Sequence, residues 1–209
     1  MIHFRLLGIP VTVQPFFWLT LAIIGGALRI DSREGMIYLL FFISAGFISI
    51  LVHELGHALM AIKFGARTEI VLQAFGGYAA YSGVRMSRGQ GAMITAAGPL
   101  LQLALGSIAY FLLKSGIAMP DNARIFIWLI FIISYVWAIL NLLPVIPMDG
   151  GRLVEAALGP GRVRLTLMIS LVTAVSVGIL AWTLYRQPIL AIFMGYFGWL
   201  SYKELQRFR

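Results

Sequence analysis

The chain has 209 residues, of which 60% are hydrophobic and 11% are charged, whereas an average soluble domain has about 25% charged residues. Together with a mean hydropathy of +0.91, this composition excludes an ordinary water-soluble enzyme and predicts a polytopic membrane protein. The net charge is +8, but the basic residues are scattered over connecting loops, which argues against a nucleic-acid partner. Because cysteine is absent, any metal ligand must be a histidine or a carboxylate.

Apolar runs between charged residues predict about six transmembrane helices. The first run is preceded by prolines and lacks a small-residue cleavage site, so we interpret it as a retained span and not as a signal peptide. The expected fold is an all-α polytopic membrane protein, with residues 1–209 forming a single integral-membrane domain in a lipid bilayer. The predicted spans cover residues 16–28, 36–62, 92–113, 125–143, 165–185 and 189–202.

The loop charges predict the orientation of these spans. Summed by side, eleven lysines and arginines lie on the side of both termini and five on the other side. By the positive-inside rule, both termini are expected to be cytoplasmic. Spans two and four then both run toward the cytoplasm, so that their C-terminal ends lie on the same side.

The longest extramembrane insert covers residues 66–90, between spans two and three. Residues 68–75 are rich in β-branched and apolar side chains, and residues 78–84 follow the pair Gly76-Gly77. This pattern predicts a short membrane-associated β-hairpin with the glycine pair at its turn. The hairpin could hold an unwound substrate as an added strand, with Phe75, Gly76 and Gly77 close to it, or it could be a plain connection.

An acidic residue lies inside the second apolar run, where an unpaired charge costs about 2.5 to 3.5 kcal/mol. This residue, Glu54, is flanked by His53 and His57 in the string HELGH. On a helix, residues four apart share a face, so both imidazoles can bind one metal ion while Glu54 lies near a metal-bound water. The alternative is a pair of core histidines bonded to backbone carbonyls, which would leave the acid unexplained.

A catalytic zinc site takes three protein ligands, so a third donor is needed. Asp149 is the candidate, because it follows span four in the string NLLPVIPMDGG, on the same side as the end of HELGH. Two prolines should break the helix there, and Gly150-Gly151 should let the backbone turn sharply. Asp149 could instead be an ordinary turn residue, and His3, near the N-terminus, is a weaker candidate without a partner motif.

The strings HELGH, GGYAAY and NLLPVIPMDGG, in this order and spacing, resemble the site-2 protease family of intramembrane zinc metalloproteases. The resemblance covers most of the chain, and it implies that His53, His57 and Asp149 bind one zinc ion while Glu54 is the catalytic glutamate. Gln102 lies in AAGPLLQLALG, where many members of the family have Asn, and we assign it no catalytic role. The chain is similar to the sporulation-factor-processing branch, without PDZ or C-terminal regulatory domains.

The expected function is hydrolysis of peptide bonds in or beside transmembrane segments of membrane-anchored proteins or peptides, as in regulated intramembrane proteolysis. Asn141 could bond a substrate carbonyl or simply cap the end of span four. By the resemblance, the expected location is a prokaryotic cell membrane, with the active site toward the cytoplasmic side. One alternative is a zinc transporter or metal sensor, which is disfavoured because the noncytoplasmic halves of the spans contain almost no polar residues. Another alternative is a catalytically silent scaffold. The sequence carries no signal for or against a homo-oligomer.

Overall fold

The computed structural model describes residues 1–74 and 76–208. Within this part of the chain there are four strands and seven α-helices, with short 3-10 turns at Ala27–Arg29 and Pro160–Arg162. The strands are β1 (Ile2–Leu6), β2 (Ile9–Val13), β3 (Arg67–Gln73) and β4 (Gly76–Ser82). The helices are α1 (Pro15–Ile24), α2 (Arg33–Lys63), α3 (Arg88–Lys114), α4 (Asp121–Asn141), α5 (Asp149–Leu158), α6 (Val163–Thr183) and α7 (Pro188–Gln206).

Four helical segments in the described residues are long and apolar enough to cross a membrane, which makes the chain a membrane protein. They are α2, α3, α4 and the segment Pro160–Thr183 that contains α6. The run predicted as the first span instead forms α1, which has 10 residues and therefore spans only about 15 Å. Many large apolar side chains on the long helices are exposed, for example Leu40, Ile108 and Val172, as expected of surfaces that face lipid and not water.

The chain divides into two compact units. The first contains Met1–Met86 and Ala97–Ala138, and the second contains Ser87–Ala96 and Ile139–Arg209. In the first unit, the core lies where the sheet and α1 pack on α2. The central residues of this core are Ile9, Val11, Phe17, Ile50 and Ile70, all nearly inaccessible.

The sheet has the order β1-β2-β3-β4, with β2 and β3 parallel and the other two pairs antiparallel. The predicted hairpin exists as β3 and β4, but β1 and β2 were not predicted. The signal for β2 was present in the alternation of Ile9, Val11 and Val13, which are buried, and this alternation is typical of a half-buried strand. The fold therefore contains a four-stranded sheet beside the helices and not a lone hairpin.

The prediction that Gly76 and Gly77 form the hairpin turn was wrong. Both glycines lie inside β4, where Gly76 pairs with Gln73 and Gly77 pairs with Leu72, so they are strand residues and not turn residues. The physical reason is packing, because a Cβ on Gly77 would lie 2.7 Å from Cγ of Glu54. Gly77 is required by the close approach of β4 to α2, and Gly76 is favoured by its backbone φ of +131°.

Candidate metal centre

Helix α2 carries the HELGH segment in its C-terminal half and buries all three of its ionisable residues. His53, Glu54 and His57 are 3%, 4% and 9% exposed. The i, i+4 spacing places both imidazoles on one face of the helix, and their Nε2 atoms lie 3.0 Å apart. The two rings are nearly perpendicular, with an interplanar angle of 79°. Because their Nε2 atoms lie so close together, each ring directs one nitrogen toward the same small volume.

This histidine pair fits a zinc ion. Zinc–nitrogen bonds of about 2.0 to 2.1 Å in a tetrahedral site place two ligand nitrogens about 3.3 Å apart. The observed separation of 3.0 Å between the Nε2 atoms needs only a small opening to reach that value. Imidazole nitrogens are also among the donors that zinc prefers.

A buried glutamine holds the other nitrogen of His53. The Nδ1 atom of His53 lies 2.9 Å from Oε1 of Gln102, a residue of α3 that is completely buried. Because an amide oxygen only accepts hydrogen bonds, Nδ1 carries the proton and donates it. A partner on the second nitrogen is the usual arrangement around a metal-binding histidine, and sequence reasoning assigned Gln102 no role.

Two glycines allow α3 to approach α2 closely at this point. A Cβ on Gly56, the fourth residue of HELGH, would lie 2.4 Å from the backbone oxygen of Ala97. A Cβ on Gly98 would lie 2.3 Å from Nε2 of His57. Neither position tolerates a side chain without a shift, because C···N and C···O contacts are normally about 3.4 Å or longer. Gly98 thus borders Nε2 of His57, the nitrogen that lies 3.0 Å from Nε2 of His53.

Strand β4 lies beside Glu54. The Cγ and Oε1 atoms of Glu54 lie 2.7 and 2.9 Å from the Cβ position of Gly77, so the strand backbone packs directly against the glutamate side chain. Gly76 is buried, and its Cβ position is 3.6 Å from the indole of Trp137. A nearby cavity of about 320 Å³ is lined by Gln14, Phe16, Gln73, Ala74 and Gly77. Phe75, predicted to bind substrate, lies outside the described residues.

Asp149 belongs to the second unit and is 8% exposed. It is the first residue of α5, a helix that the sequence analysis did not predict. The N-terminus of a helix favours a negative charge, because its backbone N–H groups are unsatisfied there. Asn141, the other predicted residue of this region, is the last residue of α4.

The prediction that Gly150 and Gly151 form a sharp turn was also wrong, since both lie within α5. A Cβ on Gly150 would lie 2.1 Å from the backbone oxygen of Leu142, and one on Gly151 would lie 2.6 Å from the backbone oxygen of Val145. The helix therefore packs directly on the preceding segment, whose Ile146 N–H donates to Oγ of Ser170 at 2.8 Å. These contacts fix the chain that carries Asp149.

His53, His57 and Asp149 are all buried, and each offers one ligand atom that could hold a metal ion. His3, the remaining histidine, is an exposed residue of β1 whose Nδ1 lies 3.1 Å from Oγ1 of Thr12. It is therefore held in a strand and is not in a mobile terminus. Apolar helices of spanning length and a buried HELGH helix are the combination expected of a membrane metallopeptidase.

Comparison with known proteins gives the family. The model of the Peptidase M50B-like family matches residues 34–149. A zinc metalloprotease of Methanocaldococcus jannaschii is 31% identical over 74% of this chain and 44% of its own length. Stage IV sporulation protein FB of Bacillus subtilis is 30% identical over 69% of this chain and 46% of its own length. The chain thus spans less than half the length of these relatives.

The fold matches a solved structure, the site-2 protease from Methanocaldococcus jannaschii, with a TM-score of 0.62. The match covers 98% of this chain and 94% of that one at 24% sequence identity. The chain belongs to the Peptidase M50B-like family, because the family model covers more than half of its residues. It has the site-2 protease fold, as the resemblance of its motifs implied.

Proposed function

We propose that this chain is an intramembrane zinc metalloprotease that hydrolyses peptide bonds in or beside the transmembrane segments of membrane-anchored substrates. The observation that carries the proposal is the pair of Nε2 atoms of His53 and His57, 3.0 Å apart, with the buried Glu54 on the same helix. Relatives named zinc metalloproteases support this function over a transporter or a metal sensor. An intact general base also argues against a silent scaffold.

The proposed ligands of one zinc ion per chain are His53, His57 and Asp149. All three residues are buried, two nitrogens and one carboxylate oxygen form a donor set suited to zinc, and the match to the family model ends at Asp149. Zinc held there supplies a Lewis acid that activates water and polarises the scissile carbonyl. We propose that residues 1–209 act as one metalloprotease domain.

Glu54 is the proposed catalytic residue. Its carboxylate takes a proton from the attacking water and returns that proton to the leaving amine, which balances the hydrolysis. Glu54 follows His53 directly on α2, and the backbone of β4 packs against its side chain at Gly77. The carboxylate is therefore confined close to both the histidine pair and the sheet.

A helical substrate must be unwound before its peptide bonds can be cut, and β4 provides a place to hold it. Among the described strands, β4 lies at the edge of the sheet, where an extended peptide can add as a further strand. Because Gly77 has no side chain, the backbone of β4 passes directly beside Glu54. Phe75 remains a predicted substrate contact, and Asn141 either bonds a substrate carbonyl or ends α4.

The proposed location is a prokaryotic cell membrane, with about six spans, cytoplasmic termini and the active site toward the cytoplasm. The support is the uneven distribution of basic loop residues, eleven on one side and five on the other. Relatives in an archaeon and a bacterium agree with a prokaryotic origin. The partners are then the lipid bilayer and a transmembrane protein or peptide.

The decisive experiment replaces Glu54 with glutamine in the full chain. The assay uses detergent-purified protein and a set of single-pass transmembrane peptides with helix-destabilising residues near one end. We expect about one zinc per chain in both proteins, and cleavage lowered by about 10²- to 10⁴-fold in Glu54→Gln, because a general base contributes that factor. Glu69→Gln is the matched control, since Glu69 is exposed on β3.

Asp149→Ala completes the test and is expected to lose the zinc. Two results would contradict the proposal. One is cleavage by Glu54→Gln at the wild-type rate. The other is a wild-type protein that binds no zinc when it is purified and reloaded with the metal.

A further inference from the structure

A chain of buried polar side chains runs from His53 into the apolar bundle of the first unit. Gln102 Oε1 lies 2.9 Å from Nδ1 of His53, and Gln102 Nε2 donates to Oγ of Ser49 at 2.8 Å. The Oγ atoms of Ser49 and Ser134 lie 3.0 Å apart. Gln102, Ser49 and Ser134 are each 0% exposed, so this network is closed to solvent.

We propose that Gln102 is a positioning residue that fixes the tautomer of His53, and that Ser49 fixes the orientation of the Gln102 amide. The inference rests on the proposed zinc site. It adds a function for two residues that lie outside the HELGH and Asp-Gly motifs. Neither of them touches the metal ion or the substrate in this proposal.

The orientation of the amide follows from the acceptors around it. The backbone oxygen of Ser49 lies 3.4 Å from Gln102 Nε2, and a carbonyl oxygen can only accept hydrogen bonds. The NH₂ group of Gln102 must therefore face Ser49, which leaves Oε1 facing His53. A flipped amide would place an N–H against Nδ1 of His53 and two acceptors against each other.

The tautomer of His53 follows from the orientation of the amide. Because Gln102 Oε1 only accepts, Nδ1 of His53 bears the proton, and a neutral imidazole then keeps the lone pair on Nε2. This is the nitrogen that lies 3.0 Å from Nε2 of His57, where the metal ion would bind. The opposite tautomer would place a proton on that nitrogen and would compete with zinc.

The burial of the network argues that it does more than join α2 to α3. A buried polar group must keep its hydrogen bonds to avoid a desolvation cost, and a wholly apolar contact of similar shape would give comparable stability. An apolar residue at position 102 alone would fill the same space between α3 and α2, but it would remove the acceptor of the His53 Nδ1–H. Only an acceptor at that position can hold the Nδ1–H of His53.

The first test measures the affinity for zinc and the visible spectrum with cobalt in detergent-purified full-length variants. Gln102→Met removes the acceptor at nearly constant volume and should weaken zinc binding by about 10- to 100-fold, the usual effect of losing such a partner. Gln102→Glu, as the protonated acid, keeps an acceptor for His53 and a donor toward Ser49, so zinc affinity should stay within about threefold of the wild-type value. Ser134→Ala is the matched control, since it removes a buried hydroxyl of the network but leaves the bond between Gln102 and His53.

The second test needs no folded variant at position 102. Nitrogen-15 NMR of metal-free wild-type protein with labelled histidine reports which ring nitrogen bears the proton. The chain has 3 histidines, so His3→Ala and His57→Ala suffice to assign His53. We expect the proton on Nδ1 of His53.

Three outcomes would overturn this inference while leaving the zinc site intact. These are wild-type zinc affinity in a folded Gln102→Met protein, equal losses in Gln102→Met and Gln102→Glu, or a proton on Nε2 of His53. A wild-type protein that binds no zinc would instead overturn the proposed function, and this inference with it. The two failures are therefore distinguishable in one series of measurements.

Discussion

Replacing Gly98 with alanine should abolish zinc binding while leaving the fold in place. Gly98 lies on α3 with its Cα facing the imidazole of His57. An added Cβ would lie 2.3 Å from Nε2, 2.4 Å from Cε1 and 2.8 Å from Cδ2 of that ring. Normal contacts between such atoms are about 3.4 Å or longer, so the ring must move by about 1 Å.

We expect the ring to move and not the helices, because α2 and α3 are packed closely where Gly56 meets the backbone of Ala97. Zinc–ligand distances tolerate only about 0.2 Å, so a displacement of about 1 Å removes His57 from the site. We expect zinc affinity to fall at least 100-fold, more than for the loss of a residue that hydrogen-bonds to a metal ligand. The crowding should destabilise the fold by about 1 to 3 kcal/mol, partly offset by up to about 1 kcal/mol from the helix propensity of alanine.

Isothermal titration of zinc against a competing chelator measures the affinity, and thermal unfolding of the metal-free protein measures the stability. Gly91→Ala is the matched control on the same helix, because its Cβ would meet no atom within 4 Å. The control should bind zinc as the wild type does. Wild-type zinc affinity in a folded Gly98→Ala protein would refute the reasoning.

Two further predictions concern the sheet beside Glu54. Gly77→Ala places a Cβ 2.7 Å from Cγ and 2.9 Å from Oε1 of Glu54. Because this contact misplaces the base, kcat should fall about 10- to 100-fold, while the zinc content should not change. An unaltered kcat would contradict the proposed role of this contact. Ala79→Pro and Ala80→Pro each remove one N–H from β4, and successive N–H groups point to opposite edges of a strand. The variant that loses an N–H on the free edge of β4 should raise KM for transmembrane peptides and keep the thermal stability. The variant that loses an N–H facing β3 should break that pairing and lower the thermal stability. An unchanged KM in both variants would argue against strand addition.

The long helices could be predicted because their signals are local. The runs at residues 36–62, 92–113, 125–143 and 165–185 lie within or close to α2, α3, α4 and α6, since length and apolarity alone decide whether a helix can span a bilayer. The sheet was predicted only in part. Strand β2 pairs in parallel with β3, more than fifty residues away in sequence. Such a pairing produces no recognisable pattern among residues that are adjacent in sequence.

The glycines show the same difference between what the local sequence indicates and what tertiary packing decides. Gly76-Gly77 and Gly150-Gly151 look like turns when only chain neighbours are considered, because glycine is the usual turn residue. In the structure, Gly77 makes room for Glu54, and Gly150 makes room for the backbone of Leu142. Both contacts come from tertiary packing, so the identity of the neighbour could not be predicted from the local pattern.

The sequence by itself determined that this is a membrane protein with a candidate metal centre at His53, Glu54 and His57, because helical periodicity fixes the relative positions of residues on one helix. Only the tertiary structure decided that Gln102 holds His53 and that Gly98 borders His57. It also decided that Asp149 begins a helix. These features depend on which helices meet and at what depth, and that is set by packing between segments distant in sequence.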